Sequence, residues 1–232
     1  MLPSQFPIAN RLLAAMARLD YQRLALDLEP VELAVGQELH QTDQPIQHVY
    51  FASDALVCLL THADKHSALA VGLVGNEGVV GVATVLGVKA SPLRALVQVP
   101  GKALRMQTAV FVWEFQQNAL LRQAVLGYVH ALTVQVAQTA ACNRFHAIEE
   151  RLARWLLMTR DRLSSDQLQL THEFLGYLLG VRRAGVGTAA QALKARGLID
   201  YSRGNIEIVD GPGLEAASCL CYAMDRRHRQ TP

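Results

Sequence analysis

The sequence predicts an α+β protein with three consecutive parts. Residues 31–106 consist of short apolar runs separated by Gly, Asp and Pro, which is typical of strands in a compact β unit. Residues 108–146 carry apolar side chains at three- and four-residue steps and contain no proline, which predicts a long helix. The C-terminal part has short helical stretches and then two alternating segments around Gly204, which predicts a β-hairpin.

These patterns place the domain boundaries. We expect the β unit within residues 1–110, the central helix over 111–146 and a separate C-terminal domain over 147–232. The first 27 residues have helical spacing, and Pro30 closes this segment. The predicted apolar face of that helix consists of Leu12, Leu13, Met16, Leu19 and Leu24.

Composition limits the class of protein. The chain has 232 residues, of which 51% are apolar and 18% are charged, so it can bury a core. A net charge of +2 excludes a surface that is basic throughout but allows a basic patch. The first twenty residues lack the pattern of a signal peptide, and no stretch is apolar enough to span a bilayer. We expect a cytoplasmic protein with no membrane partner.

The four cysteines give only a weak metal signal. In a cytosolic protein, Cys58, Cys142, Cys219 and Cys221 are expected to be reduced thiols. Cys219 and Cys221 form a C-x-C with His228 downstream, whereas zinc sites normally combine two closely spaced pairs. Structural or incidental thiols are the favoured interpretation, with metal binding or redox sensing as the alternative. We therefore predict no metal-ligating residues.

The segment LTHEFLGYLLGVRRAGVGTAAQALKARGLIDYSRGNIEIVD has the pattern of a winged helix-turn-helix. Thr171 is placed as the N-cap of a helix over 172–180, which Gly180 ends. A second helix over 182–196 is stopped by Gly197 and followed by the hairpin. In such a motif the second helix presents its N-terminal residues to base edges in the major groove of DNA.

The start of the second helix carries the functional prediction. Arg182 and Arg183 can each donate two hydrogen bonds to O6 and N7 of guanine, whereas solvated helix charges are the alternative interpretation. Gly185 and Gly187 each cost roughly 1 kcal/mol of helix stability but allow a close approach. Arg203, at the hairpin turn, is predicted to contact a phosphate, with an ordinary hairpin charge as the alternative.

This segment, together with the order of the parts, resembles the Crp–Fnr family of bacterial transcription regulators over nearly the whole chain. The resemblance implies a cyclic-nucleotide-binding-like β-roll that senses a signal, a central helix that forms the homodimer, and a motif that reads a near-palindromic operator. By position, Arg182, Arg183 and Thr188 match the family's base and phosphate contacts, and we add Thr171 to the expected DNA contacts. Ala184 replaces the Glu of the family motif, so the half-site is expected to differ. The expected partners are double-stranded DNA, a second copy of the chain and RNA polymerase.

The long central helix needs a partner along its length. An intramolecular brace is one possibility, and a coiled-coil-like seam between two copies is the favoured one. The expected seam residues recur at three- and four-residue steps: Leu121, Val125, Tyr128, Leu132 and Val136.

The resemblance also implies a place for an effector. In nucleotide-binding members of the family, a Gly-Glu pair meets the ribose and an Arg-Ser or Arg-Thr pair meets the cyclic phosphate. The glycine-rich segment 75–87, predicted as a loop and a short helix, supplies Glu77 and Gly78. Arg94 comes one residue late on the next strand, and such a slip turns a side chain to the opposite face. Another small ligand, or a sensor that binds no small molecule, is therefore favoured over a cyclic nucleotide. The N-terminal segment has no cysteine cluster, which predicts that no iron–sulfur cluster is bound.

An enzyme and a free-standing ligand-binding module are the rival classes. Glycines 75, 78 and 81 do not have the G-x-G-x-x-G spacing, and Ala103 after Lys102 excludes a P-loop. The sequence has no G-x-S-x-G, and Cys58 lies in an apolar run typical of a core strand. We therefore predict a sequence-specific DNA-binding regulator and no enzyme.

Overall fold

The N-terminal part of the chain is the predicted strand-rich unit. The computed structural model describes residues 9–64, 67–202 and 204–229. The N-terminal elements are α1 (Arg11–Ala14), α2 (Arg18–Leu24), β1 (Glu29–Leu33), β2 (Glu38–His40), β3 (His48–Ala52), β4 (Leu56–Asp64), β5 (Ser67–Val74), a 3₁₀ turn (Val82–Leu86), β6 (Arg94–Val99) and β7 (Gly101–Gln107). The strands form two antiparallel sheets, ordered β1-β7-β3 and β2-β6-β4-β5.

The N-terminal helix differs from the prediction because it is broken into two short pieces. Asn10 caps α1 by accepting hydrogen bonds from the backbone N–H groups of Leu12 and Leu13. Its amide nitrogen donates to the carbonyls of Ala52 and Gly78, which fastens α1 to the β unit. Leu19, predicted on the apolar face, is 79% exposed because the break rotates α2 relative to α1.

Strand β4 is buried on both faces. Val57 and Leu59 pack inside the β unit. The alternate residues Leu56, Cys58 and Leu60 point the other way and join the hydrophobic core of the C-terminal domain. Because side chains alternate along a strand, this one strand belongs to two cores. The continuous apolar run ALVCLL reflects this double burial.

The predicted central helix consists of two helices, α3 (Thr108–Gln117) and α4 (Ala119–Phe145). Asn118 separates them in an extended conformation, and its side chain caps α4 by accepting a hydrogen bond from the Leu121 N–H at 3.0 Å. The helical prediction is therefore right for most of this segment, but it missed the capped break.

The predicted seam needs a correction. Leu121, Val125 and Tyr128 are buried against the β unit of their own chain, and Leu132 and Val136 are half-buried. The apolar stripe of α4 thus follows the intramolecular alternative, because the nearest apolar surface is the β unit itself. A seam between two copies would have to use another face of α4.

The C-terminal domain contains the predicted pair of short helices and hairpin. Its elements are α5 (Ile148–Leu163), β8 (Gln167–Gln169), α6 (His172–Leu179), α7 (Arg183–Ala195), β9 (Ile199–Ser202), β10 (Asn205–Ile208), α8 (Gly211–Ala217) and α9 (Leu220–Arg229). Strand β8 pairs with β10 and extends the predicted hairpin to three strands.

A buried ion cluster connects the domains. Arg162, on α5, has an almost fully buried side chain and donates from Nε to Glu77 Oε1 at 2.8 Å. Its Nη1 lies 4.0 Å from Asp225 Oδ2 on α9, and both carboxylate side chains are less than a tenth exposed. A buried cation needs such compensation because removal from water is costly.

We predict that Arg162→Met destabilises the protein by about 3–5 kcal/mol, because it leaves two buried carboxylates without their cation. The free energy of unfolding in urea measures this effect. Arg105→Met is the matched control, since it removes an exposed ion pair with Glu29 and should leave the transition unchanged. Equal behaviour of the two variants would contradict a central role for Arg162.

Candidate DNA-binding site

The helix-turn-helix geometry comes from two caps. The Thr171 hydroxyl oxygen accepts a hydrogen bond from the Phe174 N–H at 3.2 Å and begins α6. Gly180 ends α6 in the left-handed conformation, with φ of 60°. A side chain at Gly180 would also lie 2.8 Å from Leu69 on β5. The turn therefore favours glycine for its left-handed backbone conformation, and the Leu69 side chain packs close against it.

Helix α7 has one buried and one exposed face. Its buried residues, at helical spacing, are Val186, Ala189, Ala190 and Leu193, which pack into the core of the C-terminal domain. Ala192, beside this face, is half-buried. The opposite face is exposed at Ala184, Thr188 and Gln191. Packing of the apolar face thus leaves one polar face of α7 open to a partner.

The structure brings three of the predicted DNA contacts together at this face. Arg182 is the exposed N-cap residue of α7, and Arg183 is its exposed first residue. Thr188 is exposed one turn further on, and its hydroxyl donates to the Ala184 carbonyl at 3.1 Å. Thr171 lies apart from them, at the start of α6. Arg203 lies outside the described residues.

The sequence interpretation missed Gln191, an exposed polar residue of α7 that lies three residues after Thr188. The i, i+4, i+7 spacing of Ala184, Thr188 and Gln191 could have identified Gln191, because such residues share one helix face. Lys194 is a weaker candidate because its ammonium group donates to Asp200, which lowers the pKa of that carboxyl.

The predicted effector residues are not assembled as a nucleotide site. A cavity of about 400 Å³ lies between α1, α4 and α5, and Glu77, Tyr128 and Arg162 are among its lining residues. Arg94 does not line this cavity, since its guanidinium pairs with Glu38 on the neighbouring strand at 3.0 Å. Glu77 is already paired with Arg162, so the acid expected at a ribose has a protein partner instead.

Gly78 has a packing role. A Cβ there would overlap the Tyr128 ring, so only glycine lets α4 approach this loop. Burial raises the pKa of Tyr128, which keeps the phenol neutral in this contact. The Glu77–Gly78 pair is thus explained by an ion pair and a close approach within the chain.

Comparison with known proteins agrees with this architecture. The profile of the Crp-like helix-turn-helix domain matches residues 150–217. No curated protein matches the chain. Solved structures with the same fold include FixK2 of Bradyrhizobium japonicum, with a TM-score of 0.72 and 14% identity over 83% of this chain and 98% of that one.

Two further structures extend the comparison. CLP, the c-di-GMP-responsive global regulator of Xanthomonas campestris, has a TM-score of 0.68 and 15% identity over 83% of this chain and 99% of that one. The regulator TTHB099 of Thermus thermophilus has a TM-score of 0.69 and 15% identity over 81% and 96% of the two chains.

Residues 150–217 thus match a Crp-like helix-turn-helix domain, and the chain as a whole has the fold of these Crp/Fnr regulators, with a cyclic-nucleotide-binding-like N-terminal unit. Among the described residues, no helix has the length and apolar character needed to cross a membrane.

Arg183→Ala is predicted to weaken binding to the selected site by about 1–3 kcal/mol and to relax base preference at one operator position. The physical reason is the loss of a bidentate donor at the exposed start of α7. Titration of labelled operator and of single-base variants measures both effects. Arg18→Ala, which removes an exposed arginine from α2, is the control. An unchanged affinity and preference for Arg183→Ala would contradict this role.

Proposed function

We propose that this protein is a transcription regulator of the Crp–Fnr family, which binds DNA as a homodimer and reads a near-palindromic operator with its two α7 helices. The observation that carries the proposal is the exposed start of α7, where Arg182 and Arg183 stand beside the small residue Ala184. Paired recognition helices in successive major grooves would lie roughly 34 Å apart. Thr188 and Gln191 extend the proposed contact along the same face, and Thr171 and Arg203 stay predicted contacts.

The proposed dimer seam uses the face of α4 that the β unit does not cover. Leu126 is 46% exposed, and Thr133, Ala137 and Ala140 continue its stripe at steps of seven, four and three residues. Small side chains allow two helices to approach closely, and a stripe with this spacing suits a coiled-coil-like contact. Leu132 and Val136, half-buried beside this stripe, are placed to support it from the flank.

We predict that Leu126→Glu converts the dimer into a monomer, because two carboxylates would face each other in an apolar seam. Operator affinity should fall by about 100-fold or more, because a monomer lacks the second DNA-binding domain that binds the other half-site. Light scattering and operator titration measure the two effects. Leu86→Glu, at an exposed leucine on the 3₁₀ turn, is the matched control. A dimeric Leu126→Glu protein would contradict this seam.

The N-terminal unit is proposed to modulate DNA binding through its contact with the C-terminal domain. The cavity beside Glu77 is bordered by Arg162 and Asp225, which belong to the C-terminal domain. A small molecule bound there would compete for the same charged side chains. It would thereby shift the position of the DNA-binding domain relative to the N-terminal unit. The displaced Arg94 disfavours a cyclic nucleotide as that molecule. We further expect cytoplasmic localisation and contact with RNA polymerase.

The deciding experiment selects bound fragments from genomic DNA with the purified full chain, without ligand and then with cyclic AMP or cyclic GMP. We expect a palindromic site to be enriched without nucleotide. Its affinity should fall steeply with salt, since phosphate contacts release counterions. Enrichment that requires a nucleotide would show that the pocket interpretation is wrong. Failure to enrich any site under every condition would contradict the proposed function itself.

A further inference from the structure

A cluster of metal-binding side chains lies where the central helix ends. Cys142 lies in the last turn of α4, and His146 is the C-cap residue of that helix. Cys219 precedes α9, and Cys221 lies in its first turn. Although 73 residues or more separate the two pairs in sequence, the fold brings one ligand atom of each side chain within 4.8 Å of all the others.

The contacts within this cluster are close. The sulfurs of Cys142 and Cys219 are 3.5 Å apart, and Cys221 Sγ is 3.5 Å from His146 Nδ1. The three cysteines are buried, and His146 is half-buried at the edge. His228, the histidine next to the C-x-C in sequence, instead packs its ring 6.1 Å from that of His130. The histidine of the cluster thus comes from a different element than the sequence indicated.

The geometry fits a single tetrahedral ion. Zinc binds sulfur at about 2.3 Å and histidine nitrogen at about 2.0–2.1 Å, and these bonds place neighbouring ligand atoms about 3.8 Å apart. The four ligand atoms lie within 4.8 Å of one another, so only small side-chain movements are needed to reach the zinc geometry. A group confined to 4.8 Å leaves no room for two or more irons with bridging sulfides, whose ligands surround a larger core. Three cysteines and one histidine are also a common structural zinc ligand set.

The charge around the cluster supports the same ion. Zinc with three thiolates and a neutral imidazole carries a net charge of −1. Arg154, which is fully buried, lies beside Cys142. Its Nη2 donates to Thr139 Oγ1 at 3.2 Å, but its Nε and Nη1 have no hydrogen-bond partner among the described residues. A buried guanidinium with unsatisfied donors is costly, and an anionic zinc centre would compensate it.

We propose that Cys142, His146, Cys219 and Cys221 bind one zinc ion per chain as a structural site. The ion joins the end of α4 to the start of α9, and so fixes the DNA-binding domain to the central helix. Arg151, whose charge also acts on Cys142 and Cys219, donates a hydrogen bond to the Leu179 carbonyl at the end of α6. The side chain of Arg151 therefore lies between the proposed zinc site and the turn that precedes α7.

The test measures metal bound to the full chain, purified under reducing conditions, by elemental analysis and by replacement with cobalt. We expect one zinc per chain and, with cobalt, a thiolate-to-metal charge-transfer band together with the spectrum of a tetrahedral ion. Cys142→Ser and Cys221→Ser should each weaken zinc binding by more than about 100-fold, since loss of a direct ligand costs more than loss of an outer-shell partner. Removal of zinc by a chelator should lower the unfolding temperature.

Cys58→Ala is the matched control, because Cys58 is equally buried but lies in β4, outside the cluster. It should retain one zinc per chain. His146→Ala, at the half-buried ligand, decides the matter if a cysteine variant does not fold. Three results would overturn the proposal: no zinc uptake by the unmodified chain, equal zinc content in ligand and control variants, or a Cys142–Cys219 disulfide as the form that excludes zinc. All three are independent of DNA binding.

Discussion

The double burial of strand β4 is the constraint on which the rest of the structure depends. Val57 and Leu59 complete the core of the β-roll, while Leu56, Cys58 and Leu60 complete the core of the DNA-binding domain. A shift of one residue in the register of β4 would move each set of side chains into the other core. The packing of the β-roll and the packing of the DNA-binding domain therefore constrain each other. In the proposed function, a signal in the β-roll would reach the DNA-binding domain through this shared strand.

The polar contacts follow that apolar constraint. Once β4 and α5 are packed together, the guanidinium of Arg162 is removed from water and must find anions, which Glu77 and Asp225 provide. The same packing presses the Gly180 turn against Leu69. Helix α7 begins three residues after Gly180, so its start lies close to β5. In the proposed function, this junction would carry a change in the β-roll to α7.

The DNA-binding side of the molecule was largely predictable, because its signals are local. An N-cap at Thr171, a left-handed glycine at Gly180 and an apolar stripe on α7 determine the helix-turn-helix without reference to the rest of the chain. The effector side was less predictable. Glu77 and Gly78 occupy the expected loop, but their roles depend on which side chains reach them from α4 and α5, and spacing along the chain carries no information about that.

The sequence by itself determined the order of the units, the helices and hairpin of the DNA-binding domain, and the arginines at the start of α7. These features depend on short-range periodicity and capping. Only the tertiary structure decided which surface the apolar stripe of α4 covers, because a stripe such as Leu121 and Val125 fits a β-roll as well as a second helix. It also decided that Cys142 and His146 meet Cys219 and Cys221. The physical reason is the same in both cases: contacts between distant segments are chosen by the packing of whole elements, and no local pattern records them.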